Sequence, residues 1–475
     1  VSTSDTHRAV NKRRIGLAIL SGLLLDLINK ISPLIVLSHA QRYLGLASFG
    51  HAQWLIALIE TVQPIIFFGY TNYAMSEIAK AGKGPSFPGQ LLSQVNVLKV
   101  LHLAALLLFF LVWQTTAGPQ SLSFGQICLI GLACFAVTLD ATWYGLYEHK
   151  LARLNIVGGI IRVLALFAVI YFVRSPDDVS VYALFLLLPN IVVSAVTGIY
   201  AYRRVGFARV KISEIFETAK VSAPFGVVVF LYVFFDRFDL FLVGEWFGPE
   251  QLGAYAGASR VVQSLILLTG SIVLAFYAEN IHIKEAKALQ SHLSLNLWLL
   301  MSLAVPVMLG APFVASDVMN FIFPSAPVAT HSLFWVLALG FVGNVLITVF
   351  GLQLLLLQAK VKSMIFALVA GLVTALIFAA IFKDSLGLHA CAWGVVLGKW
   401  VAAVIITFNG TKLITGLPWP SIGRPLAAGI FMVLALVVFK PDGFFVTVIV
   451  GGMVYSAAVF LLNQEQIGSL LKRKT

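Results

Sequence analysis

Ionisable and amide side chains stand at helical spacing inside long apolar stretches of this chain. Asp26, Asn29, Lys30 and Pro33 fall in the first stretch, Gln53, Glu60, Gln63 and Pro64 in the second, and Asn96, Lys99 and His102 in the third. Further along come Asp140, then Asn155 and Arg162, then Tyr232, Asp236, Arg237 and Asp239, then Ser259, Arg260 and Gln263, and finally Lys399. Intervals of three, four and seven put such groups on one face of a helix. A charge at bilayer depth costs a few kcal/mol even on lenient scales, so it faces a helix bundle or a watery cavity. Cations of this kind suit an anionic ligand such as phosphate or pyrophosphate, with Arg matching its oxygens best. The carboxylates Asp236, Asp239 and Asp140 could take up a coupling cation or proton, and Asp236 and Asp239 could equally neutralise Arg237 and Arg260. The plainer alternative is structural, with Asp26–Lys30 and Asp140–Arg162 as locked ion pairs. Polar faces on so many helices favour a hydrated interior.

Other chemistry has no signature here. The sequence contains no HExxH, no Gly-x-Ser-x-Gly elbow and no Gly-rich phosphate loop ending in Lys-Ser/Thr. Cys128, Cys134 and Cys391 lie in apolar runs without metal-ligand spacing, which makes them packing residues. No metal and no cofactor is expected.

The elements that position these residues are membrane spans. Hydrophobic residues make up 60% of the 475-residue chain and charged residues 11%, with a mean hydropathy of +0.95. A soluble domain carries about 25% charged residues, so the solvent here is lipid. The net charge of +12 does not indicate nucleic acid, because the basic residues sit in short loops rather than in a folded basic domain. Windows of roughly twenty apolar residues fall at 15–38, 48–69, 91–113, 124–146, 154–173, 180–201, 221–243, 255–278, 293–315, 331–357, 364–382, 389–409, 422–439 and 443–462. Lys12-Arg13-Arg14 precedes the first window in the manner of a secretory signal. That window holds Asp26 and Lys30 and has no clear small-residue cleavage site, so it is expected to be a retained span. With the N-terminus inside, about 22 Lys and Arg fall in inside loops and about 4 outside, the asymmetry that sets orientation. Both ends are therefore expected in the cytoplasm, and no loop is long enough for a separate catalytic domain. Prolines 33, 64, 224 and 306 permit kinks.

A repeat links the two halves. The hairpin Arg42-Tyr-Leu-Gly45-Leu-Ala-Ser-Phe-Gly50 matches Glu245-Trp-Phe-Gly248-Pro-Glu-Gln-Leu-Gly253 at an offset of 203 residues (248 minus 45). The same offset carries the start of span one onto that of span seven, the parallel-repeat pattern of transporters.

At these hairpins, and in Asp239-Leu-Phe-Leu-Val-Gly244-Glu-Trp-Phe-Gly248 followed by Leu252-Gly253-Ala-Tyr255-Ala-Gly-Ala258, the sequence resembles the polysaccharide-transporter branch of the multidrug/oligosaccharidyl-lipid/polysaccharide exporter superfamily, the Wzx-type flippases. The resemblance implies an all-α, MATE-like polytopic membrane protein of about fourteen transmembrane helices. Its parts would be a cytoplasmic N-terminus (1–14), a six-helix lobe (15–201), a cytoplasmic linker (202–220), a second six-helix lobe (221–409), two accessory helices (422–462) and a cytoplasmic tail (463–475). It implies a flippase that carries undecaprenyl-pyrophosphate-linked oligosaccharide across the bacterial inner membrane, for O-antigen, capsule or exopolysaccharide. Its partners would be that lipid, the bilayer, a polysaccharide polymerase and a chain-length regulator. By position, the cavity residues are Asp26, Lys30, Glu60, Lys99, Arg162, Arg237, Arg260 and Lys399. Related lipid II flippases carry an arginine in the first span, where this chain has Lys30. Span eleven is nearly bare of polar residues, which disfavours the sodium site known in relatives. The rival readings are a drug/cation antiporter of the same fold relying on carboxylates such as Glu60, a membrane polymerase or ligase, and a scaffold.

Overall fold

An apolar run in lipid has no water to take up its backbone amides, so it closes its hydrogen bonds within one helix. The described residues follow this rule. In the computed structural model the described residues are 3–71, 73–74, 77, 87–116, 122–148, 151–267, 269–270, 272–273, 276, 283, 285, 286–324, 327–358, 360–414 and 416–463, with side chains described in these ranges except at 3–33, 87, 146–147, 151–155 and 286. The helices are α1 (Thr3–Phe67), α2 (Phe87–Thr116), α3 (Phe124–Leu139), α4 (Thr142–Tyr147), α5 (Leu151–Phe172), α6 (Val179–Val205), α7 (Ile212–Phe235), α8 (Phe238–Leu267), α9 (Ala286–Ile322), α10 (Ala329–Ala338) and α11 (Gly340–Leu346). A π-helical segment (Ile347–Leu355) follows, then α12 (Val361–Leu386), α13 (Leu388–Thr411), α14 (Trp419–Phe439) and α15 (Phe444–Leu462).

The all-helical expectation holds; the count of about fourteen spans is not established. Among the described residues, 10 helices are long and apolar enough to cross a membrane, and Ile156–Phe172 is a shorter apolar helix. Two expected spans run together in α1, a helix of 65 residues bent at Gly45 (φ 74°, ψ 168°). The second bend is in α8 at Gly248 (φ 82°, ψ 175°), with Pro249 starting the new stretch. These positive φ values suit glycine, and a proline at the first helical position loses no needed donor. The two bends fall at equivalent positions of the repeat.

The chain folds as two units, residues 1–44 with 70–219, and residues 45–69 with 220–475. In the first unit, α3 ends at Asp140, and short α4 completes that span. The break is fully tied. The Asp140 N–H donates to Val137 O, the Ala141 N–H to Thr197 Oγ1 at 3.3 Å, and the Thr142 N–H to Asp140 Oδ1 at 2.7 Å. Gly198 of α6 lies so close to this break that a Cβ would stand 2.2 Å from Leu139 O.

In the second unit, α12 and α13 pack through small residues. A Cβ on Gly371 would meet Gly398 O at 2.6 Å, and one on Gly398 would meet Gly371 O at 2.4 Å. Small residues let membrane helices approach this closely. Beside them, Leu297, Met301, Phe341, Phe350, Met364 and Ile406 fill one buried core. The sequence reads span seven as continuous over 221–243, whereas the structure breaks it between Phe235 and Phe238 and starts α7 at Ile212, inside the expected linker. The break falls at Asp236-Arg237, where two adjacent charges need to point to different partners.

The repeat also interlocks within this unit. A Cβ at Gly50 would stand 2.1 Å from Pro249 O, and one at Gly253 would stand 2.1 Å from Leu46 O. These approaches are reciprocal under the 203-residue offset, and they fix the register of the α1 stretch after Gly45 against the α8 stretch after Gly248. Gly253→Ala should therefore destabilise by at least the ~1–3 kcal/mol of overpacking, while Gly452→Ala, with nothing within 4 Å of its added Cβ, should be near neutral. Thermal unfolding in detergent checks this, and equal melting of both variants would refute the interlock.

Candidate functional site: a carboxylate between two guanidiniums

Helix rise converts that register into depth. Glu60 lies 15 residues beyond Gly45, Arg260 lies 12 beyond Gly248, and Arg237 lies 11 before it. At 1.5 Å per residue these groups sit roughly 16–22 Å from the bends, inside a hydrocarbon core about 30 Å thick.

They meet there. Glu60 Oε2 is 2.6 Å from Arg237 Nε, and Glu60 Oε1 is 3.3 Å from Arg260 Nη1. Arg260 Nη2 donates to Glu60 Oε2 at 3.4 Å, its Nε to Gln53 Oε1 at 2.7 Å, and its Nη1 also to Gln263 Oε1 at 3.4 Å. Gln263 Nε2 in turn donates to Ser259 Oγ at 3.2 Å. One carboxylate thus faces two guanidiniums, with neutral amides around Arg260. A buried cation without such a partner would be strongly destabilising.

The other charges of the Asp236-Arg237-Phe-Asp239 turn go elsewhere. Asp236 Oδ1 pairs with Lys399 Nζ of α13 at 2.8 Å. Asp239 is buried, accepting from Tyr255 Oη at 2.8 Å and from the Leu240 N–H at 3.0 Å. The ion-pair contacts of Arg237 and Arg260 are therefore with Glu60, while Asp239 acts on Arg237 through its charge alone.

In the first unit, Lys99 is 2% exposed and donates from Nζ to the Asp140 carbonyl at 2.6 Å. That carbonyl lies at the C-terminal end of α3, where a cation is favoured. The Asp140 carboxylate is taken up by Thr142 rather than by Arg162. Arg162 instead lines a cavity of about 100 Å³ with Val36, Val169, Phe185, Pro189 and Asn190. The expected Asp26 and Lys30 lie outside the residues whose side chains are described.

Glu60, Arg237 and Arg260 were expected at one site and are brought together; Gln53 and Gln263 complete their shell. A second polar group was not anticipated. Asn296 and Gln353 are buried and hydrogen-bonded to each other, and Gln353 Nε2 donates to Val273 O at 2.9 Å. The π-helical stretch that carries Gln353 has no sequence signature. Asn296 in one apolar window, and Asn344 and Gln353 in the next, were the available signal.

Comparison with known proteins accords with this geometry. The model of the family described as polysaccharide biosynthesis protein matches residues 18–278, more than half of the chain. The chain belongs to that family. No curated protein sequence matches it. The solved structure of the lipid II flippase MurJ in an inward closed conformation is similar, with a TM-score of 0.70 at 13% identity over 94% of this chain and 100% of that one. An inward-facing multidrug resistance MATE family transporter of the MOP superfamily has a TM-score of 0.57 at 15% identity, over 81% of this chain and 94% of that one. A MATE structure in the bent conformation has a TM-score of 0.57 at 14% identity, over 84% and 95%. The protein is an integral membrane protein of this family, with the fold of the MurJ and MATE structures.

The ion pair on α13 gives a direct energetic test. Lys399→Met and Asp236→Asn each leave one charge unpaired, so the double variant should be more stable than the sum of the single effects by ~0.5–3 kcal/mol. Strict additivity in thermal unfolding would show the pair to be uncoupled.

Proposed function

We propose that this protein is a flippase for undecaprenyl-pyrophosphate-linked oligosaccharide repeat units in the bacterial inner membrane, with both termini cytoplasmic. The observation that carries the reading is the pair Arg237 and Arg260 at membrane depth, two guanidiniums that share one carboxylate. Guanidinium forks match the oxygens of a diphosphate. The prenyl chain can remain in lipid while polar groups shield the diphosphate and sugar. Alternating access would carry the load from the cytoplasmic to the periplasmic leaflet, and a polymerase with a chain-length regulator would receive it. Lys30 and Arg162 are proposed as further basic residues for the anionic load. Lys99 is proposed as a structural tie, given its burial against Asp140.

The antiporter reading rests on Glu60 as the ligand of a cation. Glu60 already faces two cations, which makes it a poor site for a third. A polymerase or ligase would expose a large periplasmic loop with catalytic Arg or His, whereas the loops assigned to the outside are short and nearly devoid of basic residues.

Surface polymer in a strain dependent on this protein tests the proposal. Arg237→Ala, Arg260→Ala and Lys30→Ala, at wild-type membrane levels, should each lower polymer display at least tenfold, with susceptibility to cationic drugs unchanged. Undiminished display in all three, or drug sensitivity moving in place of display, would contradict it.

A further inference from the structure

Glu60 stands where an anionic ligand of Arg237 and Arg260 would stand, and it fits that place incompletely. Its Oε2 approaches Arg237 Nε to 2.6 Å, yet Arg237 Nε lacks a well-aligned hydrogen bond, and Arg237 Nη1 is buried without a partner among the described residues. The carboxylate thus supplies charge to Arg237 without matching its donors, while it accepts only long hydrogen bonds, 3.3 and 3.4 Å, from Arg260. A carboxylate's two oxygens lie in one plane, whereas a phosphate offers more oxygens in a tetrahedral spread for two guanidinium forks.

The surroundings hold the cations rather than the anion. Arg260 has Gln53 and Gln263 as neutral partners in addition to Glu60. Glu60 is also the most accessible of the three, its side chain 28% exposed against 16% for Arg237 and 14% for Arg260. Under the 203-residue offset the equivalent of Glu60 is Gln263 (60 plus 203), a neutral amide touching the same arginine. The fold therefore accepts an uncharged amide at this place in one repeat, so the charge of Glu60 serves the two arginines and not the packing of its helix.

We propose that Glu60 is an internal counter-ion that occupies the diphosphate site between loads and sets its selectivity. This rests on the flippase reading above. An incoming anion gains the two guanidiniums only by displacing Glu60. A diphosphate carries enough charge and enough oxygens to do so. The single negative charge of a phospholipid phosphodiester merely equals that of Glu60 and gains nothing by exchange. The residue thereby keeps the bulk phospholipids of the bilayer out of a cationic site open to lipid-borne anions, and it returns to expel the load after translocation.

The isosteric Glu60→Gln protein in nanodiscs provides the test. Binding of three probes is compared with wild type: membrane-embedded polyprenyl diphosphate, free inorganic pyrophosphate, and phosphatidylglycerol. Glu60→Gln should bind polyprenyl diphosphate at least tenfold more tightly, gain measurable phosphatidylglycerol binding, and turn over more slowly in transport because release is impaired. Tightening for free pyrophosphate as well would place recognition in the headgroup alone; tightening only for the lipid would add the prenyl chain, and either supports the proposal. If Glu60→Gln does not fold, Glu60→Asp, whose shorter carboxylate reaches the arginines less well, should show the same changes to a smaller degree. Wild-type binding and transport of the lipid diphosphate without tightening in the variant would overturn the counter-ion role alone. Absence of lipid diphosphate binding in both proteins would overturn the flippase reading, and the counter-ion role with it.

Discussion

A guanidinium carried into the hydrocarbon core must find an anion or water, and that requirement organises much of the second unit. Arg237 and Arg260 share Glu60. The helix carrying Glu60 is held in register by Gly50 against Pro249, and the helix carrying Arg260 by Gly253 against Leu46. Only backbones stripped of Cβ atoms approach this closely. The glycine interlock near the Gly45 and Gly248 bends and the charge cluster roughly 16–22 Å further along are thus two ends of one constraint. Breaking α7 from α8 at Asp236-Arg237 serves the same end, since it turns Arg237 toward Glu60 and Asp236 toward Lys399.

The first unit solves its polar problem differently. Its buried ammonium, Lys99, is spent on a backbone carbonyl at a helix break, and the carboxylate of Asp140 caps the helix that follows. Charge here ties a discontinuity together. Two similar-looking groups of intramembrane charges therefore do different work: one is closed by backbone, the other rests on side chains that an anion could displace.

Much of this was legible in the residues. The low charge content and twenty-residue apolar windows give the helical membrane class, and the Gly45/Gly248 repeat marks two bends that the structure places at those glycines. Glu60, Arg237 and Arg260 stood out because charge in lipid is costly. Their pairing was not legible, because a one-dimensional pattern gives the face of a helix but not which face meets which. Asp236 and Asp239 lie nearest to Arg237 in sequence, yet the break in the helix sends them to Lys399 and Tyr255. The π-helical segment at Ile347–Leu355 escaped for a similar reason, since its apolar residues suit an α-helix equally well.

The activity proposed for this membrane protein is the movement of a lipid-linked diphosphate sugar between leaflets. The most direct measurement is leaflet-resolved flipping in vesicles containing the purified protein and a fluorescent polyprenyl-diphosphate oligosaccharide. The account predicts that label in the inner leaflet becomes accessible to a membrane-impermeant quencher far faster than in protein-free vesicles. A rate equal to that of empty vesicles, in preparations that do export a cationic dye, would contradict it.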